Sequence, residues 1–384
     1  MSSIKYDFGS GRSDPSTFPV AGLQAAATKV IAEQAQELTE YPGNLGHLGM
    51  RQAMAQRECE REGVSIDPDH LMLTNGSMQG VTLSAEALQE NHGDTILVEE
   101  YSYPGTLSAY RNLKLDMVGV PLDEGGMRPD KVEEQLDRLS KAQRLPKFIY
   151  TISTYQNPTG FVMPAQRRKQ LIELGKHYGV PIIEDNCYAD VHYEGPLEPA
   201  FYALDDDPNI IYLCSLSKIL APGLRLGYIY AKPPMLDRLL ARRSDAGSNT
   251  LAAAITAEFY KDGIAAHAKV ANPVLQDKRD LTLKGLEEEL GDTCVWSVPV
   301  GGLFIWVRLP DDVDRSKLWA MSREQGVAYL PGQSFHYQRQ DVPYLRLAFG
   351  HLTPDQITTG LPILARCIRS CRGSNEARNF ESLF

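Results

Sequence analysis

The sequence predicts an α/β fold in which a large domain, built on a mostly parallel central sheet flanked by helices, precedes a smaller α+β domain. Two observations support this prediction. Between about residues 45 and 270, short apolar runs alternate with longer segments of helical pattern, as in chains that build parallel sheets. After about residue 272 the pattern changes to a mixture of helices and alternating strands, which is typical of a separate α+β domain.

The strands of the large domain are predicted from short apolar runs. These runs cover residues 71–74, 95–98, 117–120, 148–152, 181–184, 210–213 and 226–230. Several contain almost no polar residue, as expected for strands that helices cover on both faces. The first run is followed by Asn75-Gly76-Ser77 and a helical stretch through Leu88. Ligands of such sheets bind outside the carboxyl ends of the strands, so functional residues are expected in the loops there.

The C-terminal part contains three predicted helices and two predicted strands. The helices cover residues 275–290, 316–325 and 354–372, and the strands cover residues 300–309 and 344–349. The polar tail, residues 373–384, is expected to be poorly ordered. These elements predict a large domain over residues 41–272 and a small domain over residues 273–384, preceded by an N-terminal arm of residues 1–40.

Composition argues against several classes of protein. The 384 residues include 39 Lys and Arg against 49 Asp and Glu, a net charge of −10, which argues against a nucleic-acid partner. No apolar run approaches the roughly 20 residues that span a bilayer, and the N-terminus lacks the apolar core of a signal peptide. A cytoplasmic protein without a membrane partner is therefore expected. Six cysteines are too few for a disulfide framework, and no metal-binding pattern of Cys or His is present.

The most informative segment covers residues 212–229. It places Ser215, Ser217, Lys218 and Arg225 directly after a predicted strand. Two hydroxyls and a planar guanidinium can converge on a phosphate. A lysine that lies beside another cation and an apolar wall has a lowered pKa, which suits Schiff-base chemistry. For Lys218 considered alone, a basic loop that only caps the strand is the alternative.

The pattern Ser-x-Ser-Lys-x-x-x-Pro-Gly-x-Arg-x-Gly in this segment resembles the cofactor-lysine segment of class I/II aminotransferases, fold-type-I enzymes that use pyridoxal 5′-phosphate (PLP). Further segments resemble motifs of the same family in the same order: Tyr41 with Gly46 and Arg51, Asn75-Gly76-Ser77-Met78-Gln79-Gly80, Tyr103-Pro104-Gly105, Asn157-Pro158-Thr159-Gly160, Glu184-Asp185-x-x-Tyr188, Pro331-Gly332-x-x-Phe335 and Leu345-Arg346-Leu347-Ala348-Phe349. Each motif is weak alone, and their joint order carries the resemblance. The pattern is most similar to the branch of kynurenine and 2-aminoadipate aminotransferases.

The resemblance implies roles for the residues around the cofactor. Lys218 would form the Schiff base with PLP, and Asp185 would pair with the pyridinium nitrogen. Asn157 and Tyr188 would bind the phenolic oxygen, and Tyr103 would stack on the ring. The other implied cofactor contacts are Gly76, Ser77, Met78, Ser215, Ser217 and Arg225 around the phosphate, and Tyr41 from a neighbouring subunit. Catalysis is thereby assigned to Lys218, Asp185 and Tyr188, and Tyr41 implies a homodimer with composite sites.

A purely structural role is the alternative for several of these residues. Gly76 and Ser77 could form a simple strand-to-helix turn, although such a helix N-terminus is also a ready anion site. Asp185 could cap a helix, and Asn157 could serve only to build its turn. Tyr103 could belong to the ordinary core.

The resemblance also implies substrate contacts. Arg346 lies between two leucines in a strand pattern, where an unpaired charge is costly. It would bind the substrate α-carboxylate as a bidentate partner, with Asn157 and Gly11 nearby. The alternative is a salt bridge between Arg346 and a protein carboxylate. Arg12 could face a carboxylate on the substrate side chain or only solvent.

Four positions depart from the family pattern. Ser13 stands where the family often has a proline near the N-terminus, in the segment that closes over the substrate. Met78 replaces a residue that is often polar, Cys187 replaces a common proline, and Tyr101 stands where relatives tend to have proline. These changes surround the substrate pocket, so the sequence defines the cofactor site better than the substrate.

The resemblance therefore implies a PLP-dependent aminotransferase that moves an amino group from an α-amino acid to a 2-oxo acid. The alternative is an enzyme of the same fold that catalyses β/γ-replacement, decarboxylation or carbon–carbon bond formation in a biosynthetic pathway, because fold and cofactor do not determine the reaction. A PLP-sensing transcription regulator is a third possibility. The acidic composition, and a chain that begins almost directly with the catalytic-type segment, argue against it.

Overall fold

The computed structural model describes residues 4–261 and 263–373, and a seven-stranded sheet forms its centre. The strands are β1 (Tyr6–Asp7), β2 (Leu71–Thr74), β3 (Thr95–Glu99), β4 (Asp116–Val120), β5 (Leu122–Asp123), β6 (Gly126–Met127), β7 (Ile149–Thr151), β8 (Ile182–Asp185), β9 (Ile210–Ser215), β10 (Gly227–Tyr230), β11 (Val295–Trp296), β12 (Phe304–Arg308), β13 (Val327–Ala328), β14 (Leu330–Pro331) and β15 (Tyr344–Ala348). The central sheet has the order β2-β10-β9-β8-β7-β3-β4, and only the pairings of β10 are antiparallel. The predicted α/β class with a mostly parallel sheet is confirmed.

The carboxyl ends of several strands meet at one edge of this sheet. Strand β10 runs opposite to its neighbours, and its first residue, Gly227, pairs with Thr74 of β2 and Ser215 of β9. Asp185 at the end of β8 pairs with Leu213 of β9, and the two strands are parallel. The loops that follow β2, β8 and β9 therefore leave the sheet side by side, as expected for a ligand-binding edge.

Helices cover both faces of the central sheet. The helices are α1 (Val20–Glu33), α2 (Leu48–Glu62), α3 (Ser77–Leu88), α4 (Pro104–Asn112), α5 (Pro129–Lys141), α6 (Ala165–Tyr178), α7 (Phe201–Leu204), α8 (Met235–Leu240), α9 (Thr250–Phe259), α10 (Ile264–Leu290), α11 (Arg315–Glu324) and α12 (Pro354–Ser370). Apolar residues of α2, α5, α6 and α9 form one buried cluster with the sheet, and those of α3, α4 and α8 form a second on the opposite face. Burial on both faces explains why the strands are almost entirely apolar.

A smaller body surrounds an antiparallel sheet of order β11-β12-β15-β14. Its own buried cluster includes residues of α10, α11 and α12, and β1 near the N-terminus pairs in parallel with β13. The predicted strand over residues 300–309 is too long at its start. Gly302 has a φ of +73°, and this left-handed backbone cannot continue an extended strand, so β12 begins only at Phe304.

Helix α10 begins earlier than the sequence predicted. The sequence predicted a helix over residues 275–290, whereas the helix begins at Ile264 and contains Pro273. A proline removes one hydrogen bond but does not end a helix whose flanking residues are held by packing, and here Ala271 and Leu275 on either side are buried. The predicted limit between residues 272 and 273 therefore lies inside one continuous helix, and the domain limits remain a prediction.

Three further expectations concern the whole chain. Among the residues that the structure describes, no helix has the length and apolar content needed to cross a membrane. All six cysteines are free of disulfides, and five of them are buried. The predicted tail, residues 373–384, lies outside the described residues from residue 374 onward.

Candidate active site

Lys218 lies in a tight loop that joins the adjacent strands β9 and β10. Leu216 N donates to Leu226 O at 3.1 Å and closes this loop beside the end of β9. Within the loop, Ser217 N donates to Ser215 Oγ at 3.2 Å. The local pattern predicted from the sequence thus folds into a compact turn that presents an amine and two hydroxyls at the ligand-binding edge of the sheet.

A cavity of about 240 Å³ opens at this edge. Nine of the predicted site residues line it: Ser77, Met78, Tyr103, Asp185, Tyr188, Ser215, Ser217, Lys218 and Arg225. Ile152, Cys187 and Pro222 complete the lining. Residues from the loops after β2, β8 and β9 and from the start of α4 therefore meet in one enclosed space, although they are distant in sequence.

One end of the cavity is built to hold an anion. Helix α3 begins at Ser77, and Gly76 before it has a φ of +82°. A Cβ at Gly76 would lie 2.4 Å from Arg225 Nη2, so only glycine lets the guanidinium approach the start of the helix. Arg225 is held there by the backbone carbonyls of Asn75 at 3.1 Å and Pro222 at 3.3 Å. The N–H groups of a helix start beside a guanidinium are an arrangement suited to binding a phosphate.

Asp185 occupies another wall of the cavity. Tyr150 donates its hydroxyl hydrogen to Asp185 Oδ2 at 2.7 Å, whereas Oδ1 is buried without a hydrogen-bond partner among the described residues. Burial raises the pKa of Asp185, and the nearby donor groups of Cys187 and Tyr150 oppose that rise. A buried carboxylate oxygen without a partner is costly unless a ligand donates to it.

The amine of Lys218 is set for chemistry near neutral pH. Loss of water around the ammonium, together with the nearby charges of Arg346 and Arg225, lowers the pKa of Lys218 to about 8, against the opposing effects of Cys187 and Asp185. Nζ donates to Gly11 O at 2.8 Å, so the N-terminal arm reaches into the site. An amine with this pKa is partly neutral at physiological pH and can act as a nucleophile or base.

Arg346 lies at the boundary between the two sheets. Nη1 donates to Asn157 Oδ1 at 2.9 Å and Nη2 to Gly9 O at 2.6 Å, while Nε has no hydrogen-bond partner among the described residues. The guanidinium carbon lies 4.1 Å from the ring centroid of Phe304 and 5.0 Å from that of Phe335. Within residues 4–261 and 263–373 no carboxylate forms an ion pair with Arg346, so the alternative of a protein salt bridge finds no support. Burial lowers its pKa to about 10.

Asn157 connects Arg346 to the cavity, since its Nδ2 donates to Tyr188 OH at 3.1 Å. The turn that contains Asn157 is held by its neighbour, the buried Gln156. Gln156 Nε2 donates to Glu99 Oε2 at 2.9 Å and to Tyr101 O at 2.7 Å. The turn therefore has a rigid support that aims the Asn157 side chain.

Tyr150, Glu99 and Gln156 are functional residues that were not predicted from the sequence. Glu99 carries a signal that could have revealed it, because it is a carboxylate at the carboxyl end of an apolar strand, as Asp185 is. Tyr150 and Gln156 carry no such signal, since a tyrosine within an apolar strand or a glutamine in a turn is common in any protein.

Six predicted site residues are not part of the cavity lining: Gly11, Gly76, Asn157, Arg346, Tyr41 and Arg12. The last two are also exposed. Tyr41 is 86% exposed in the single chain. Arg12 is exposed, and its Nε donates to Ser10 Oγ at 2.5 Å. Ser13, which stands where the family often has proline, donates its hydroxyl hydrogen to the backbone oxygen of Lys218 and ties the N-terminal arm to the loop.

Known proteins of similar sequence and structure share this arrangement of elements. A family model described as aminotransferase class I and II matches residues 3–363. The aromatic-amino-acid aminotransferase 1 of Thermococcus litoralis is 35% identical over 359 residues, which are 92% of this chain and 86% of that protein.

Two solved structures extend the comparison. The kynurenine aminotransferase of Pyrococcus horikoshii, in complex with PMP and with KYN and KYA as substrate and product, has a TM-score of 0.90 at 32% identity and covers 96% of this chain and 92% of its own. The α-aminoadipate aminotransferase of Thermus thermophilus, complexed with N-(5′-phosphopyridoxyl)-L-leucine, has a TM-score of 0.87 at 28% identity and covers 95% and 92%.

These matches span nearly the whole chain and agree with the cavity that contains Lys218. The predicted family and the predicted fold type I are confirmed, and enzymes of this family depend on PLP. The chain therefore belongs to the class I and II aminotransferases and is an enzyme that transfers amino groups.

Proposed function

We propose that Lys218 carries pyridoxal 5′-phosphate in the cavity at the edge of the central sheet. Two features of the structure fit this cofactor. Asp185 Oδ1 is buried without a partner among the described residues and could accept a hydrogen bond from a protonated ring nitrogen. The glycine at position 76 leaves room beside Arg225 for an anion. The observation that carries the proposal is the presence of both features in one cavity with the Lys218 amine.

Each wall of the cavity has its own role in this proposal. The phosphate would be held by the N–H groups at the start of α3 and by the side chains of Ser77, Ser215, Ser217 and Arg225, with Gly76 and Met78 contributing backbone contacts. Tyr103 would cover one face of the ring. Asp185 would receive the ring nitrogen, and Asn157 with Tyr188 would bind the phenolic oxygen. When bound, PLP supplies an aldehyde that captures amino groups and a ring that withdraws electrons.

The reaction depends on two cationic side chains of the protein. Arg346 binds the α-carboxylate of the amino acid. Its Nε has no partner, and no protein carboxylate pairs with it among the described residues, which leaves it suited to an anion. Once released from the cofactor, Lys218 Nζ would accept the proton from the α-carbon of the substrate and deliver it to the carbon at the other end of the C–N unit. The lowered pKa of Lys218 keeps a fraction of this amine neutral and able to accept that proton.

We propose α-amino acids as amino donors and 2-oxo acids as acceptors. The names of the similar proteins suggest aromatic amino acids, kynurenine and 2-aminoadipate as the first donors to test. Arg12 is an exposed residue of the N-terminal arm, and we propose it as the partner of a side-chain carboxylate such as that of 2-aminoadipate. The exposure of Tyr41 is consistent with a homodimer in which this residue completes the neighbouring site. The dimer and the cytoplasmic location remain predictions.

Borohydride reduction of the PLP-loaded protein, followed by peptide mapping, tests the attachment. The pyridoxyl group is expected on Lys218, and labelling of another lysine would overturn the proposal. Half-reaction spectroscopy with a panel of amino acids then identifies donors by the appearance of the pyridoxamine absorption band. A protein that binds PLP but forms no pyridoxamine with any amino acid of the panel would contradict the proposed donors.

A further inference from the structure

A buried tyrosine supports Asp185 from outside the cavity. Tyr150 lies in β7, next to β8, and is fully buried between the sheet and α4. Its hydroxyl lies 2.7 Å from Asp185 Oδ2 and 3.2 Å from Thr106 Oγ1 on α4. These three side chains form a short chain of hydrogen bonds that ends on the carboxylate.

The direction of this chain follows from the number of hydrogens. A phenol has one hydrogen, and an ionised carboxylate can only accept. If Tyr150 donates to Asp185, Thr106 must donate to the oxygen of Tyr150. Aligned hydroxyl groups polarise one another, so the bond that reaches Asp185 is strengthened. A protonated Asp185 would gain less from this arrangement, because the carbonyl oxygen of a neutral carboxyl group accepts a hydrogen bond more weakly than a carboxylate does.

The other groups around Asp185 do not replace this bond. Burial alone raises its pKa and favours the neutral acid, which cannot accept a hydrogen bond as strongly as the anion does. Cys187 also lowers the pKa of Asp185, through its thiol, which is a weak donor, and through its backbone N–H, and Lys218 acts on Asp185 only through its charge. Tyr150 is therefore the strong neutral donor to Asp185 among the side chains that the structure describes.

We propose that Tyr150, supported by Thr106, is a positioning residue that keeps Asp185 ionised and leaves Oδ1 free for the ring nitrogen of the cofactor. This inference rests on the proposed function, in which Asp185 faces that nitrogen. The proposal predicts that Tyr150 strengthens the preference of the site for PLP over an analogue of PLP whose ring lacks the nitrogen atom. Tyr150 itself is not among the residues that line the cavity.

The chain offers a matched control in Tyr110. This tyrosine is also fully buried, its ring packs edge-on against Tyr150 at 5.6 Å between centroids, and its hydroxyl has no hydrogen-bond partner among the described residues. Tyr110→Phe and Tyr150→Phe remove the same atom from the same part of the core. Only the second variant removes a bond to Asp185.

The test compares dissociation constants of PLP and of its carbocyclic analogue, in which CH replaces the ring nitrogen, for the full-length protein freed of cofactor. Wild type and Tyr110→Phe are expected to prefer PLP strongly. In Tyr150→Phe that preference is expected to fall about tenfold, the scale of one hydrogen bond to a charged group. Thr106→Val is expected to lower it less and in the same direction, and it serves as the test if Tyr150→Phe fails to fold.

Three outcomes separate the possibilities. If wild type does not distinguish the two compounds, the placement of the ring nitrogen at Asp185 is wrong, and the proposed function fails with it. If wild type distinguishes them and Tyr150→Phe does so equally well, the role of Tyr150 is overturned while the proposed function stands. If Tyr150→Phe lowers the affinity for both compounds equally, the role of Tyr150 is also overturned, because the tyrosine would then be only part of the packing.

A second measurement uses the absorption spectrum of bound PLP, titrated with pH. The spectrum should shift in Tyr150→Phe and not in Tyr110→Phe.

Discussion

Arg346 donates from Nη1 to the side-chain oxygen of Asn157 at 2.9 Å, although 189 positions separate the two residues in the chain. Asn157 in turn donates to the hydroxyl of Tyr188 at 3.1 Å. The residue proposed to hold the substrate carboxylate and two residues proposed to hold the cofactor are therefore connected directly. A substitution at Arg346 can therefore affect both substrate binding and cofactor binding, and the two effects must be measured separately.

Replacing Arg346 by alanine should lower kcat/KM for α-amino acids. The expected loss of transition-state stabilisation is about 3 kcal/mol, the scale of a truncated buried charge pair. Arg346→Lys should recover only part, because an ammonium lacks the planar fork. PLP affinity should change little. Steady-state kinetics and cofactor titration measure the two effects. Amines without a carboxylate are the control, and equal losses for amines and amino acids would show that Arg346 does not bind the carboxylate.

The capture of PLP by the cofactor-free protein should become faster as pH rises, with a midpoint near the Lys218 pKa of about 8. The reason is that only the neutral amine attacks the aldehyde, and the amine loses its proton as pH rises through this pKa. Stopped-flow absorbance at a series of pH values measures the rate. Arg346→Gln removes a neighbouring positive charge and should move the midpoint upward. A midpoint that stays fixed in this variant would show that Arg346 does not influence the amine.

Gly76→Ala should weaken PLP binding strongly. A Cβ there would lie 2.4 Å from Arg225 Nη2 and would push the guanidinium away from the anion site. Gly63→Ala is the matched control, because Gly63 also has a positive φ, +71°, but nothing lies within 4 Å of the added carbon. Gly63→Ala should lose on the order of 1 kcal/mol of folding stability, because the backbone at Gly63 is left-handed with a ψ of 15°. Gly76→Ala should lose more, up to about 3 kcal/mol, because a positive φ with a ψ of 161° is a region that essentially only glycine adopts. Equal PLP affinities in the two variants would contradict a phosphate site beside Gly76.

Glu99 should make the free energy of unfolding depend on pH. Burial raises the pKa of this carboxyl to about 7, although four donors, from Gln156, Thr151, Ile152 and Ser102, oppose the rise. A raised folded-state pKa means that the contribution of Glu99 is fully present below about pH 4.5 and is lost as pH rises through about 7. Glu99→Gln stays neutral at every pH. As pH rises from 5 to 8, its free energy of unfolding should therefore increase relative to that of wild type by on the order of 2 kcal/mol.

Chemical denaturation at several pH values checks this prediction for Glu99. Glu58→Gln provides the contrast, because Glu58 is also fully buried but ion pairs with Arg57 and Arg61 oppose the effect of burial and lower its pKa. Its substitution should be destabilising throughout this range, with no recovery as pH rises. A difference between wild type and Glu99→Gln that does not vary with pH would show that Glu99 does not titrate there.

Mixing the variants Tyr41→Phe and Lys218→Ala tests the composite site predicted from Tyr41. If each site uses Tyr41 of one subunit and Lys218 of the other, a mixed dimer of Tyr41→Phe and Lys218→Ala has one intact site. Such dimers should regain up to half of the wild-type activity per dimer, provided that Tyr41→Phe alone is strongly impaired. Activity assays after co-refolding, with light scattering to determine the assembly, provide the measurement. A monomer at working concentration would refute the shared site.

The sequence alone determined the fold class and most of the cavity. Lys218, Asp185 and Ser77 each lie at or just beyond the end of a strand that an apolar run predicts, and parallel strands bring such ends to one edge. Local pattern was therefore sufficient, because the spacing of apolar residues defines each strand and topology then brings the strand ends together. The start of α3 at Ser77, beside Gly76, follows from the same local pattern.

Only the tertiary structure decided which side chains support those residues. The bonds from Tyr150 to Asp185, from Gln156 to Glu99 and from Lys218 to Gly11 join segments that lie 35 to 207 positions apart. The extent of α10 across Pro273 was decided in the same way, by packing rather than by local propensity. Such contacts depend on how strands and helices pack against one another, and the pattern of a single segment carries no information about its distant neighbours.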